Sequence, residues 1–255
     1  MVEIKKDSEL AAMREAGRVV GRALVEVRAA AKIGVSLREL DDLAHEAMKA
    51  AGARPSFLHY QPVFAPTPFT GVLCTSVNDA VVHGIPDGYR LRDGDLLSID
   101  CGAELDGWHG DAAISIVIGS AADDDLRLID TTAAALEAGI AAAVVGARLG
   151  DVSHAIGAVG RAAGYGIPAD FGGHGIGRAL HEGPALPNDG RAGRGVTLRH
   201  GLVLAIEPMF TAGGRDACRT DDDGWTVRTV DGSRAAHVEH TVAVTDDGPC
   251  ILTLP

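Results

Sequence analysis

Acidic side chains interrupt several of the apolar stretches from which this chain must build its strands. An ionised carboxylate inside an apolar strand is costly unless a cation or a hydrogen-bond donor faces it. These acids and one glycine-framed histidine suit two divalent cations bridged by shared carboxylates, because carboxylate and imidazole ligands accept Mn, Fe, Co or Zn. The sequence therefore predicts a two-metal hydrolase. The candidate metal ligands are Asp100, Asp111, His174, Glu207 and Glu239.

Length, composition and charge indicate which classes of protein are compatible with this chain. A length of 255 residues with 46% hydrophobic content can build a packed core in one large domain or two small ones. The net charge of -12 and the absence of any block of Lys and Arg disfavour nucleic-acid binding. No apolar run approaches the roughly 18 residues of a membrane span, and the N-terminus has no secretory pattern, so we expect a cytoplasmic protein without a membrane partner. Four scattered cysteines without a CxxC pair predict reduced, structural thiols.

Capping signals predict two pairs of helices. Ser8 is the expected N-cap of a helix that extends to about Ala31, and Ser36 with Glu39 forms a capping box for a second helix that stops at Gly52. The remaining predicted elements are a proline-rich loop over 55–71, a strand over about 72–77, and helices over about 123–145 and 151–164.

A hairpin signal lies between the two helical pairs. The run LLSIDCGAEL reaches Asp106 and Gly107 and reverses into WHGDAAISIVIG. With these two residues as the turn, paired positions sum to 213, and Asp100 and Asp111 become diagonal neighbours on one face. Diagonal neighbours lie about 7 to 8 Å apart at the backbone, which lets two carboxylates converge on neighbouring cations. The alternative is that both are ordinary solvated acids.

The chain also repeats itself at an offset of 112 residues. Such a repeat predicts one α+β domain over 1–255, built from related halves of about 1–120 and 121–255, with a curved antiparallel sheet, outer helices and a site between the halves. Chance similarity between alanine-rich helices is the alternative. The matching residues are Gly34, Leu37, Glu39, Leu40, Ala50, Ala51 and Gly52 with Gly146, Leu149, Asp151, Val152, Ala162, Ala163 and Gly164.

The second half carries the other candidate ligands. GGHGIGRALHEGP holds His174 and His181, and its glycines allow a close backbone approach. LVLAIEP ends on Glu207, and AAHVEHTVAV alternates so that His237, Glu239 and Thr241 share one face. Salt bridges to Lys or Arg are the alternative for the two glutamates, although neither stretch contains such a residue.

Taken together, these segments resemble the type I methionine aminopeptidases, which share the pita-bread fold with aminopeptidase P, prolidase and creatinase. The resemblance covers nearly the whole chain. It is carried by SVNDAVVHGIP, SIDCGAELDGWHGDAA, GGHGIGRALHEGP, VLAIEPM and DGWTVRTVDGSRAAHVEHTVAVT. It implies that Asp111, His174, Glu207 and Glu239 hold one cation, and that Asp100, Asp111 and Glu239 hold the second.

The resemblance also implies the reaction and the residues that carry it. A water activated by two metal ions, with Glu207 as general base, would release N-terminal methionine from peptides and nascent chains with a small second residue. His83 and His181 would contact the scissile amide and its carbonyl oxygen, and the substrate amine would bind the second cation. The metals would be Co, Mn, Fe or Zn.

An apolar pocket for methionine is implied as well, by Phe57, Tyr60, Cys74, Leu180 and Trp225. The chain departs from the family pattern in two places. Leu180 stands where an aromatic residue is common, and the loop over 61–71 is longer and richer in proline, so Phe64 or Phe69 substitutes for a tyrosine of the family. No N-terminal zinc-binding extension is expected.

Three other functions stay open at this point. A peptidase of the same fold that cleaves before proline would share all five ligands, although such proteins are typically longer. A non-catalytic binding protein of this fold usually loses ligands, and creatinase-like chemistry uses no metal. We expect a monomer that contacts the ribosome transiently.

Overall fold

The computed structural model describes residues 2–63 and 65–255. Four long helices lie in two sequential pairs, α1 (Asp7–Ala30) with α2 (Leu37–Ala50), and α3 (Asp123–Ala142) with α4 (Leu149–Ala162). The strands, in chain order, are β1 (Arg54–Pro55), β2 (Leu73–Val77), β3 (Ala80–Val82), β4 (Leu96–Leu105), β5 (Trp108–Val117), β6 (Gly172–Gly175), β7 (Glu182–Pro187), β8 (Val203–Ile206), β9 (Met209–Thr211), β10 (Cys218–Thr220), β11 (Val227–Thr229), β12 (Ala235–His237), β13 (Glu239–Thr245) and β14 (Gly248–Ile251).

In α1, α2 and α4, the helix start depends on an acid three residues after the N-cap. The prediction that Ser8 caps α1 is wrong, because Glu9 accepts a hydrogen bond from the backbone N–H of Lys6 at 2.8 Å and moves the start to Asp7. Ser36 and Glu39 form the predicted capping box of α2. Asp151 accepts from the N–H of Arg148 at 2.7 Å, so α4 begins two residues before the predicted start.

The internal repeat has a counterpart in the backbone. Gly34 and Gly146 have φ of 88° and 90°, and Gly52 and Gly164, just after α2 and α4, have φ of 73° and 80°. Positive φ is easy for glycine alone, so the same residue type recurs where the same turn is made. The boundaries of the two halves and their membership of one domain remain predictions.

A nine-stranded antiparallel sheet forms the centre of the molecule. Its strand order is β1-β4-β5-β13-β8-β6-β7, with β2 also paired to β4 and β14 to β13. The hairpin prediction is confirmed, because Asp100 pairs with Ala113 and Asp111 pairs with Gly102. Two small sheets, β10-β11-β3 and β12-β9, complete the strands among the described residues.

The first half of the sheet meets the second at β5 and β13. These strands share only two residue pairs, Glu239 with Ala113 and His240 with Ala112. The hydroxyl of Thr241 reinforces this β5–β13 junction, since it accepts from Asp111 N at 3.0 Å and donates to Asp111 O at 2.8 Å. Residues that are far apart in sequence are thereby fixed next to each other.

Each helical pair packs on its own part of the sheet. One core lies between α1, α2, β2 and β4, and a second lies between α3, α4, β8 and β13. α1 crosses β5 so closely that a Cβ at Gly110 would lie 2.8 Å from the Cα of Gly17, which only glycine avoids. None of the helices in the described residues combines the length and apolar character that a bilayer crossing requires.

Candidate active site

The five predicted ligands converge on one cavity of about 290 Å³. Asp100 and Asp111 come from the β4–β5 hairpin, His174 from β6, Glu207 from the residue after β8, and Glu239 from the start of β13. The order β5-β13-β8-β6 makes these strands neighbours, so the sheet register brings the side chains together.

The acids of this cavity are withdrawn from water and lack cationic partners. Asp111, Glu207 and Glu239 are at most 9% exposed, and Asp100 is half-buried, which excludes the alternative of ordinary solvated acids. None of the four forms a salt bridge with a Lys or Arg of residues 2–63 and 65–255, which also removes the salt-bridge alternative. Within the same residues, Asp100 Oδ1, Asp111 Oδ1 and Glu239 Oε1 are buried without a hydrogen-bond partner.

Mutual repulsion and burial perturb the ionisation of these acids. Burial raises the pKa of Asp100 to about 6, and Glu207 adds to the rise. Burial first, and neighbouring carboxylates second, raise the pKa values of Asp111 and Glu239 well above their usual range, and burial does the same for Glu207. Four such groups cannot all be ionised in a dry pocket unless positive charge enters it, and divalent cations supply that charge. The donor set therefore fits a metal centre.

Candidate ligand atoms cluster in two overlapping groups. One contains Asp111, His174 and Glu239, the other Glu207, His237 and Glu239, and in each group the atoms lie within 4.8 Å of one another. Nδ1 of His174 lies 2.9 Å from Gly175 O, which leaves Nε2 pointing to Glu207 Oε1 at 3.5 Å. Burial lowers the pKa of His174 to about 4, so the imidazole is neutral at pH 7, as metal binding requires.

His237 is a residue that sequence reasoning did not select for the site. Its Nε2 lies 3.5 Å from Glu207 Oε2 and 3.9 Å from Glu239 Oε2. The alternation around Glu239 placed His237 on the same face, and that signal was available. The alternating segment is not one continuous strand, because it is interrupted at Val238 between β12 and β13.

Two histidines flank the acids without belonging to either ligand group. His83 has φ of 59°, a conformation that turns the chain sharply after β3, and its ring centroid lies 6.1 Å from that of Trp225. Burial, with His237 and His181 nearby, lowers the pKa of His83 to about 4. His181 stacks on Tyr60 at 5.2 Å and lies 4.2 Å from the ring of His174.

His181 sits at the mouth of the cavity, where its residue is exposed. Desolvation by the surrounding groups is still the largest influence on its pKa, and with His174 and His109 it lowers that pKa below the usual range. Both flanking imidazoles are therefore neutral at pH 7 and each retains one N–H donor and one acceptor.

The other side of the cavity is apolar. All five predicted pocket residues line it, namely Phe57, Tyr60, Cys74, Leu180 and Trp225. Phe69 lines it too, 2% exposed, with its ring 5.0 Å from Trp225 in an edge contact. The indole N–H of Trp225 donates to Thr67 O at 3.0 Å, which ties the proline-rich loop to the pocket. Phe64, the other predicted substitute, lies outside the described residues.

Buried acids around a neutral imidazole, open to an apolar cavity, define a metal-dependent hydrolase. The sequence model of metallopeptidase family M24 matches residues 11–246. The chain belongs to this family.

Within this family, the chain is similar over its full length to methionine aminopeptidases. "Methionine aminopeptidase 1" of Mycobacterium tuberculosis is 53% identical over 261 residues, which cover 100% of this chain and 96% of that protein. The crystal structure of methionine aminopeptidase from Thermotoga maritima has a TM-score of 0.95 at 40% identity and covers both chains completely.

The fold extends beyond these relatives. The prolidase of Pyrococcus horikoshii superposes with a TM-score of 0.77 at 21% identity, and covers 98% of this chain and 63% of the prolidase. The predicted α+β pita-bread fold, with its curved antiparallel sheet and outer helices, is therefore confirmed.

Proposed function

We propose that this protein removes the N-terminal methionine from peptides and nascent proteins whose second residue is small. The observation that carries this proposal is the full-length similarity to methionine aminopeptidases, combined with a cavity that joins buried acids to an apolar pocket. A substrate would place its methionine side chain in the apolar part and its first peptide bond against the acids.

The M24 family uses divalent metal, and we propose two cations in this chain. Asp111, His174, Glu207 and Glu239 would hold one, and Asp100, Asp111 and Glu239 the other, so that Asp111 and Glu239 bridge. When bound, the cations would polarise the scissile carbonyl and supply a nucleophilic water at neutral pH. Co, Mn, Fe and Zn all suit the oxygen and nitrogen donors present.

Protein groups would move the protons. Glu207, whose two carboxylate oxygens lie 3.5 Å from His174 Nε2 and His237 Nε2, would accept a proton and pass it to the leaving amine. His83 and His181 are neutral at pH 7 and would hydrogen-bond the scissile amide and its carbonyl oxygen as charge develops there. His237 would orient Glu207 through the carboxylate oxygen Oε2, which lies 3.5 Å from His237 Nε2.

The apolar side would select methionine. An unbranched thioether fits among aromatic rings, and contacts between sulfur and ring edges contribute about 0.3 to 1.5 kcal/mol. Phe57, Tyr60 and Trp225 supply the rings, Cys74 and Leu180 the remaining surface, and Phe69 of the proline-rich loop adds another ring.

The remaining properties follow from this role. A processing enzyme for nascent chains would act in the cytoplasm, as a monomeric single domain over 1–255, with transient contact to the ribosome and no sequence-specific contact to nucleic acid.

Peptide hydrolysis tests the proposal directly. Met-Ala-Ser, Leu-Ala-Ser and Ala-Pro-Ser are incubated with the purified chain, with and without added Co, Mn, Fe or Zn. Metal-dependent release of methionine alone is expected. Cleavage of Ala-Pro-Ser would instead indicate an X-Pro peptidase, and no cleavage with any metal would indicate a binding protein.

A further inference from the structure

A buried ion pair links the N-terminal segment to the loop that carries His181. Lys5 Nζ lies 2.5 Å from Glu182 Oε2, and the two side chains are only 3% and 9% exposed. Neither residue lines the cavity of the candidate active site. Glu182 nevertheless follows His181 directly in the chain, so its position bears on the orientation of that histidine.

Glu182 closes the loop over 176–181. Its second oxygen, Oε1, accepts a hydrogen bond from the N–H of Ala179 at 3.1 Å. Inside this loop, the N–H of Gly177 donates to Ala179 O at 3.1 Å. The carboxylate therefore holds the segment that presents both Leu180 and His181 to the cavity.

Lys5 is held as firmly as the carboxylate it contacts. Its backbone N–H donates to Gly201 O at 2.7 Å. A Cβ at Gly177 would lie 2.7 Å from Lys5 Nζ and the same distance from Glu182 Oε1, so the pair needs a glycine beside it. Among residues 2–63 and 65–255, Glu182 is the one carboxylate that pairs with the Lys5 ammonium group.

We propose that Lys5 is a positioning residue for His181, acting through Glu182 and the loop over 176–181. The proposal rests on the proposed function, because the reaction is the readout. A buried ion pair contributes little to stability compared with apolar residues of the same volume, so we attribute this pair to the geometry of the loop. A shift of the loop would move the imidazole at the mouth of the cavity and leave the acids in place.

Lys5→Met is the primary variant. We expect kcat for Met-Ala-Ser to fall by about 10² fold, the loss that a misplacement of about 1 Å can cause. Metal content is expected to stay unchanged. The loop keeps its other anchor, because Arg178 lies 3.8 Å over the ring of Trp108 and donates to Gly107 O. Lys49→Met is the matched control, since Lys49 pairs with Glu46 on the surface, with both side chains 71% exposed.

A double-mutant cycle separates positioning from a general loss of structure. In a His181→Ala background, Lys5→Met should cost less than about threefold in kcat, because the group it positions is gone. A purely structural defect would reduce kcat by the same factor in both backgrounds.

Lys5→Met leaves the Glu182 carboxylate buried and unpaired, so this variant is at risk of unfolding. Lys5→Met/Glu182→Leu removes both charges and also the acceptor for Ala179 N–H. It should recover the melting temperature of the wild type and still show the low kcat.

The outcomes are distinct. Either of two results would overturn the inference. One is a wild-type kcat in folded Lys5→Met/Glu182→Leu, and the other is an undiminished effect of Lys5→Met in the His181→Ala background. If the wild-type chain itself releases no methionine, the proposed function fails first. If the wild type is active and the variants match it, only the inference fails.

Discussion

The two sides of the cavity are built in different ways. The acids and His174 stand on or next to five adjacent strands of one antiparallel sheet, whose hydrogen-bonded register fixes their spacing. The apolar side comes mainly from loops, with Phe57, Tyr60 and Phe69 on one segment and Leu180 and Trp225 on two others. Chemistry is thus placed by the rigid part of the fold, and selectivity by parts that tolerate insertion.

This difference predicts that changes to the acids affect every substrate, whereas changes to the loops redistribute preference among substrates. Glu239→Gln is the most severe test of the prediction that changes to the acids affect every substrate. Replacing a bridging carboxylate by an amide removes charge from both proposed cations, so we expect loss of tight metal binding and at least about 10³ fold of activity with the fold intact. Metal analysis, peptide hydrolysis and circular dichroism measure the three properties.

Glu46→Gln is the control, because Glu46 is exposed on α2. Full activity of Glu239→Gln at one metal equivalent would refute the bridging assignment.

His83→Ala tests a group beside the acids that is not a proposed ligand. We expect turnover to fall by roughly 10² to 10⁴ fold, the usual range for a positioned acid, base or hydrogen-bonding group, with metal content unchanged. The exposed His45 of α2 provides a histidine control. If the variant lost a metal equivalent, His83 would have to be counted among the ligands.

The second substrate residue tests how closely the two sides enclose a peptide. If the proposed function holds, the first peptide bond lies between His83 and His181 near the acids, and we expect a small second side chain to fit there and a branched or charged one to be excluded. Met-Ala-Ser should exceed Met-Leu-Ser and Met-Lys-Ser in kcat/KM by at least about 100 fold, or roughly 2.7 kcal/mol of transition-state discrimination. Comparable values across the series would show an open site.

Phe69→Ala tests the apolar side alone. The ring contacts Trp225 edge-on and lines the cavity, and its loss should lower kcat/KM for Met-Ala-Ser by up to about tenfold, the upper range of a sulfur–aromatic contact. Metal content should not change. Val63→Ala in the same loop is the control, because Val63 is fully exposed. A large fall in metal binding would contradict the separation of the two sides.

Local sequence signals were sufficient for the parts of the fold that are themselves local. Asp106-Gly107 defined the hairpin turn, and the register that places Asp100 and Asp111 on one face followed by counting. Ser36 and Glu39 defined the start of α2. The predicted start of α1 is wrong because serine is a frequent N-cap residue and Ser8 was therefore chosen. The helix starts at Asp7 instead, since Glu9 accepts a hydrogen bond from the backbone N–H of Lys6.

Other features could not be predicted from the sequence, because they depend on contacts between segments that are distant along the chain. The role of Phe69 depends on Trp225, which follows it by more than a hundred residues and arrives from another loop. The ion pair of Lys5 and Glu182 spans 177 residues and has no local signal at either end. The alternation around Glu239 places His237 on the face of the site, but its contact with Glu207 depends on how β8 packs beside this strand.

The β5–β13 junction makes cation binding a form of cross-linking. Asp111 and Glu239 stand on opposite sides of a junction with two residue pairs, and Thr241 adds two hydrogen bonds. A cation that engages both carboxylates binds only molecules in which this junction is closed, so by mass action it favours the closed arrangement. The ions that equip the chain for hydrolysis would also act as a clasp between its amino-terminal and carboxy-terminal portions.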